Sequence, residues 1–93
     1  MGYLFEWDPK KAESNARKHG VTFDEGATAF EDPFSLLMSD PDHSVGEERY
    51  VVLGMSNQHR LLVVAVAERP PRTRLISARR ATPGERRRYE EEG

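Results

Sequence analysis

The chain has 93 residues, 37% of them hydrophobic and 32% charged, with no cysteine and a net charge of −2. That length fits a single domain over residues 1–93 and leaves no room for a second core, while the missing cysteines exclude disulfides and thiolate metal sites. The longest apolar run, Leu61 to Ala67, is far short of the roughly 20 residues a membrane helix needs, and M-G-Y-L-F-E-W does not read as a signal peptide, so a cytoplasmic protein with no membrane partner is expected.

Tyr3 to Trp7 is short and aromatic and reads as a first strand. Asp8-Pro9 then opens a helix, with Asp8 as N-cap and proline where no amide hydrogen is needed. Its body is polar, with Ala12 and Ala16 on one narrow face, and His19-Gly20 closes it. Thr22 followed by Glu25 has the spacing of a capping box and starts a second helix, with Phe23, Ala27 and Phe30 on its core face. Asp32-Pro33 stops that helix. Phe34 to Met38 reads as a second strand, and Ser39 to Glu48 as an acidic, turn-rich loop.

Arg49 to Met55 and Leu61 to Glu68 read as the third and fourth strands, joined by the polar turn Ser56 to His59. The fourth lacks apolar–polar alternation, which places it centrally and covers both its faces. Arg69-Pro70-Pro71-Arg72 is a turn, and Arg74 to Arg79 a fifth strand. Thr82-Pro83-Gly84-Glu85 repeats the capping-box and proline devices and opens a last helix through Tyr89. The order β-α-α-β-β-β-β-α predicts an α+β domain: an antiparallel sheet with two N-terminal helices and a C-terminal helix packed on it.

The absences narrow the chemistry. There is no P-loop, G-x-G-x-x-G, G-x-S-x-G or H-E-x-x-H. His19, His43 and His59 do not have metal-site spacing, and Asp40, Asp42 and His43 read as a solvated acidic loop. No metal and no cofactor is expected. Charge is divided unevenly instead: residues 1–50 carry 5 basic and 11 acidic side chains, whereas residues 51–93 carry 9 basic, all arginine, and 5 acidic. Such a basic half suits an anionic partner, although the two halves can also neutralise each other across the fold.

Arginine is therefore the candidate chemistry. Arg49 begins the third strand, Arg60 the fourth, and Arg72, Arg74, Arg79 and Arg80 lie on or beside the fifth. Guanidinium matches phosphate geometry with paired hydrogen bonds and stays charged at any working pH. Strict alternation puts Arg74 and Arg80 on one face of the fifth strand and Arg79 on the other, with Leu75 and Ser77. Arg72 and the run Arg86-Arg87-Arg88 read as paired or solvated side chains. Arg79 meets a helix N-terminus, a place that favours anions. His19 is the candidate for proton transfer, or simply a cation ending its helix. Tyr89 is open between packing and substrate contact.

Four segments carry a resemblance: F-E-W-D-P-K-K-A-E-S-N-A-R-K-H-G-V-T-F-D-E, G-E-E-R-Y-V-V-L-G-M-S, L-L-V-V-A-V-A-E and R-L-I-S-A-R-R-A-T-P-G-E-R-R-R-Y-E. Together they span nearly the whole chain and resemble the BrnT toxin family. The resemblance implies a RelE/ParE-like fold and the toxin of a type II toxin–antitoxin pair, a ribonuclease that blocks translation. It implies a BrnA-like antitoxin of the ribbon-helix-helix class, with operator DNA bound only through the toxin–antitoxin complex. It also implies metal-independent RNA cleavage by 2′-hydroxyl attack on phosphate. On that pattern Arg60 is placed like the strand arginine of RelE-type enzymes, and Arg79 or Arg80 like the basic residue ending the last strand. His19 and Arg49 lie in the family's K-H-G and G-E-x-R patterns. RelE-type enzymes are usually strongly basic and this chain is not. A non-catalytic partner acting through the antitoxin on its operon is therefore the alternative, and a ParE-like gyrase poison a third reading.

Overall fold

In the computed structural model, which describes residues 4–39 and 48–92, local signals and elements coincide closely. Asp8 Oδ1 accepts the Lys10 N–H at 2.8 Å, and helix α1 (Pro9–His19) ends at Gly20, whose φ of 69° lies in the left-handed region that favours glycine. Thr22 Oγ1 accepts the Glu25 N–H at 3.1 Å and starts α2 (Phe23–Thr28). A single 3₁₀ turn, Ala29–Glu31, follows, and Asp32 leaves the helical region just before Pro33.

The five strands are β1 (Phe5–Glu6), β2 (Leu36–Ser39), β3 (Arg49–Met55), β4 (Leu61–Arg69) and β5 (Arg72–Arg80), followed by α3 (Pro83–Glu92). They form one sheet in the order β1-β5-β4-β3-β2. From β2 to β5 every neighbouring pair is antiparallel. β1 joins the outer edge of β5 in parallel, Phe5 opposite Thr73 and Glu6 opposite Arg74, so the sheet is mixed. The chain leaves β1 at one edge and returns to the sheet at the other edge, as β2, after its two helices. A two-residue strand carries no local mark of its direction. Phe34, expected to begin β2, lies in the preceding turn and is exposed.

Two cores sandwich β4. On one face Leu62, Val64 and Val66 of β4 and Leu75 and Ala78 of β5 pack against Val21, Phe23 and Ala29 of the helical layer. Trp7 meets Phe23 edge-on with ring centroids 5.9 Å apart. On the other face Leu53, Leu61 and Val63 pack with Leu36, Met38, Met55, Ala81 and Tyr89. Burial on both faces explains the missing alternation in β4. Ala27 and Phe30 pack against this core as expected, and Ala29 of the 3₁₀ turn is fully buried in it. Gly54 of β3 lets this turn sit close: a Cβ at that position would lie 2.6 Å from the Ala29 carbonyl oxygen.

A bulge in β5 changes which arginines face together. Ala65 pairs with Ser77 but Val66 pairs with Leu75, leaving Ile76 as an extra residue. Directly opposite residues of an antiparallel pair point to the same face. Arg80, opposite Leu62, therefore lies on the helix-covered face with Ala78 and Leu75. Arg74, opposite Ala67, and Arg79, opposite Val63, lie on the other face. The expectation that Arg74 and Arg80 share a face fails because alternation restarts after the bulge.

β1 covers only the start of β5, and α1 caps the rest of that edge through one side chain. Asn15 is buried; its Nδ2 donates to the Val21 carbonyl at 2.9 Å and the Ala78 carbonyl at 2.8 Å. Its Oδ1 accepts the Ala78 N–H at 3.1 Å. An amide thus stands where a neighbouring strand would otherwise be. The alanines expected to form the inner face of α1 are secondary to it: Ala12 is partly buried against the core. Asn15→Ala would leave three buried backbone groups without partners. It is expected to lower stability by about 2–4 kcal/mol; an unchanged midpoint in urea unfolding would count against the role given to this amide.

Candidate active site

The turn between β3 and β4 sets the site. Ser56 N–H donates to the Arg60 carbonyl at 2.8 Å and His59 N–H to the Ser56 carbonyl at 3.0 Å. His59 takes a φ of 61°, unusual for a non-glycine residue. Ser56 is buried, and its hydroxyl donates to Glu25 Oε2 at 2.7 Å while accepting the N–H groups of Gln58 and Arg60. The turn therefore holds the backbone of Arg60 and aims Glu25 at its side chain.

Arg60 and Glu25 form a two-pronged ion pair. Arg60 Nε donates to Glu25 Oε2 at 2.9 Å and Nη2 to Oε1. Nη2 also donates to the Gly20 carbonyl at 3.2 Å, tying the end of α1 to the same point. The Arg60 hydrogen bond holds the Glu25 carboxyl below its ordinary range despite burial, with help from Ser56 and the field of Arg80. Glu25 in turn raises the Arg60 pKa. The carboxylate side chain is 2% exposed and the guanidinium 25%. Sequence reasoning assigned Glu25 to a capping box. Only the Thr22 hydroxyl half of that box forms, because the carboxylate turns to Ser56 and Arg60.

Beside this pair, Arg80 at the end of β5 and Arg86 in the first turn of α3 converge with Arg60 and His59 on a cleft of about 310 Å³, floored by Leu61 and Ala81. Arg80 and Arg86 are exposed, and the Arg80 guanidinium has no hydrogen-bond or ion-pair partner among the described residues. Among the described residues no acidic side chain lines the cleft. The sequence reads Arg86 as paired or solvated and His59 as a turn histidine, and neither as a site residue. Arg86 sits in a charged run, and only the folded hairpin brings His59 to Arg80.

The other expected site residues lie elsewhere. Arg79 faces away from the helical layer and is held by Glu85, Nη1–Oε1 and Nη2–Oε2 both 2.8 Å. Glu85 also accepts the Thr82 N–H at 2.8 Å, completing the cap of α3, and its pKa falls to about 2, chiefly through Arg79. The anion position at that helix start is thus filled by the chain's own carboxylate. Arg49 pairs with Ala67 at the far end of β3, about 20 Å from the level of Arg60 at the strand rise per residue. His19 lies in a separate depression between α1 and β5 with Lys11, Lys18 and Ser77. Arg74 is bonded to Glu6 at 3.2 Å.

Tyr89 resolves toward packing. Its hydroxyl donates to Asp32 Oδ2 at 2.5 Å, anchoring α3 on the sheet, and burial followed by Asp32 pushes its pKa up to about 12. Asp32 is raised by burial but lowered overall by hydrogen bonds from Tyr89, Met55 and Phe34. Among the described residues no group of three or more His, Cys, Asp or Glu side chains could hold a metal ion. Asp40, Asp42 and His43 lie outside the described residues. Among the described residues no helix is long and apolar enough to cross a membrane.

The chain is an α+β domain with a mixed five-stranded sheet and an arginine-lined cleft at one end of its central strand. Residues 7–85 match the family described as "Ribonuclease toxin, BrnT, of type II toxin-antitoxin system", and the chain belongs to that family. Its fold agrees with the α+β toxin fold expected from the sequence. No individual curated protein matches the chain.

Two stability outcomes follow from the pairing. Arg60→Ala strands the Glu25 carboxylate and is expected to destabilise the fold measurably, whereas Arg80→Ala should stay within about 0.5 kcal/mol of the parent; thermal or urea unfolding distinguishes them. Glu85 has a folded pKa of about 2, below its ordinary 4.5. Its contribution is therefore present above pH 4.5 and is lost as pH falls toward 2. The stability difference between the parent and Glu85→Gln should be full at neutral pH and close across that acid window. A difference that stays constant down to pH 2 contradicts the assigned ion pair.

Proposed function

We propose that the chain is a metal-independent endoribonuclease toxin whose active site is the cleft of Arg60, Arg80, Arg86 and His59. The observation that carries this reading is their convergence in a cleft with no acidic lining among the described residues. In the proposed reaction the ribose 2′-hydroxyl attacks the adjacent phosphorus. The bond to the 5′-oxygen of the next nucleotide breaks, leaving a 2′,3′-cyclic phosphate and a free 5′-hydroxyl. Arg80 and Arg86 hold the non-bridging oxygens, on which negative charge grows in the transition state. Arg60, with Nε and Nη2 engaged by Glu25 and Gly20, offers Nη1 to the same phosphate. His59 moves the proton between the attacking and leaving oxygens, imidazole being the side chain suited to proton exchange near neutral pH.

In this reading RNA cleavage blocks translation in the cytoplasm, and a BrnA-like ribbon-helix-helix antitoxin neutralises the toxin. The complex, not the toxin alone, binds operator DNA. Membership of a type II toxin–antitoxin family supports an antitoxin partner. His19, Arg49 and Arg79 are left out of the chemical step, since they lie outside the cleft.

Induction of the protein alone should arrest growth and fragment mRNA, and cleavage of RNA by the purified protein should persist in excess chelator. Arg80→Ala should remain folded and lose roughly 10²–10³-fold in cleavage rate, the usual effect of removing one charge-stabilising group. Full activity in that folded variant would remove the cleft from the mechanism. Absence of cleavage by the parent at any concentration, with operator binding as a complex, would favour the co-repressor alternative.

A further inference from the structure

Helix α1 lays a polar stripe against the open edge of β5. Lys11, Ser14, Asn15 and Lys18 recur at i, i+3, i+4 and i+7, the spacing that ordinarily turns an apolar face to the core. Asn15 is the buried member and holds Ala78. Lys11, Ser14 and Lys18 flank it, and with His19, Ile76 and Ser77 they line a depression of about 220 Å³ that has no acidic side chain among the described residues. Neither lysine has an ion pair among the described residues. They are thus two charges without an ion pair among the described residues, on a rigid element beside the Ser14 hydroxyl and an imidazole.

This depression adjoins the arginine cleft. His19 immediately precedes Gly20, whose carbonyl accepts Arg60 Nη2 at 3.2 Å. Ser77 lies three residues before Arg80 on β5, about 10 Å away at the strand rise per residue. The carbonyl end of α1 opposes an anion there, but Gly20 N–H and Arg60 Nη2 each engage a carbonyl at that end. We infer that the depression is a second phosphate-binding position for single-stranded RNA, holding the backbone that flanks the bond placed in the cleft. The inference rests on the ribonuclease reading. Two consecutive depressions free of carboxylate lining among the described residues suit a backbone that carries a charge at every step. Lysine ammonium groups meet its phosphates, and Ser14 and His19 offer hydrogen bonds to phosphate or 2′-hydroxyl.

The test measures affinity for a 2′-O-methyl oligonucleotide of about 10 nucleotides across a salt series. Such a probe has no free 2′-hydroxyl and cannot be cleaved by the proposed chemistry. In the folded double variant Lys11→Gln/Lys18→Gln, the slope of log affinity against log salt should shrink by about 0.7 per lysine, with a several-fold weaker Kd at low salt. A slope equal to that of the parent overturns the inference, as does a parent that does not bind the probe. Loss of antitoxin capture with an unchanged RNA slope assigns the patch to a protein partner and overturns it too. A reduced slope in a protein that cleaves no RNA keeps this position and rejects the proposed chemistry. Normal cleavage with an unchanged slope does the reverse.

Discussion

The ion pair between Glu25 and Arg60 joins three parts of the chain at one point. Glu25 comes from α2, Arg60 from the turn into β4, and the Gly20 carbonyl from the end of α1. A buried carboxylate needs both a counter-ion and hydrogen bonds, and Arg60 and Ser56 supply them together. A buried pair of this kind is often no more stabilising than a well-packed apolar pair. What it adds is position. The guanidinium is held in one orientation at the mouth of the cleft, a long flexible side chain made rigid before any ligand arrives.

Local signals were legible where local physics decides. The caps at Asp8, Thr22 and Thr82 begin helices where their side chains bond the first free amides. β3 begins and ends at the residues expected, and β4 is central and covered on both faces. Three features were not legible, each because it depends on a distant partner. Glu25 fits the capping-box spacing, and nothing near it in sequence says that Arg60 will claim its carboxylate. Asn15 looks like one more polar residue on a polar helix until the open edge of β5 lies beneath it. The direction of β1 follows from which edge it joins.

Charge pairing accounts for much of the basic half. Glu6 takes Arg74 and lies 3.9 Å from Arg72, Glu25 takes Arg60, Glu85 takes Arg79, and Glu92 takes Arg88. The adjacent residues Arg79 and Arg80 thereby differ completely: one stands in a structural pair on one face, the other lies open on the opposite face. A nearly neutral total charge is compatible with a strongly cationic local surface when several arginines elsewhere are matched by carboxylates.

The bulge at Ile76 has a consequence for how this strand can vary among relatives. Leu75 and Ser77 already pair with consecutive residues of β4, so the ladder closes with or without the residue between them. Ile76 acts as a spacer between two phases of the strand, each with its own inward and outward parity. A relative one residue shorter there would keep its arginines on the same faces, while a length change on either side of the pairings would exchange them. Alignment of this segment is therefore governed by ladder partners, and an alignment gap belongs at Ile76.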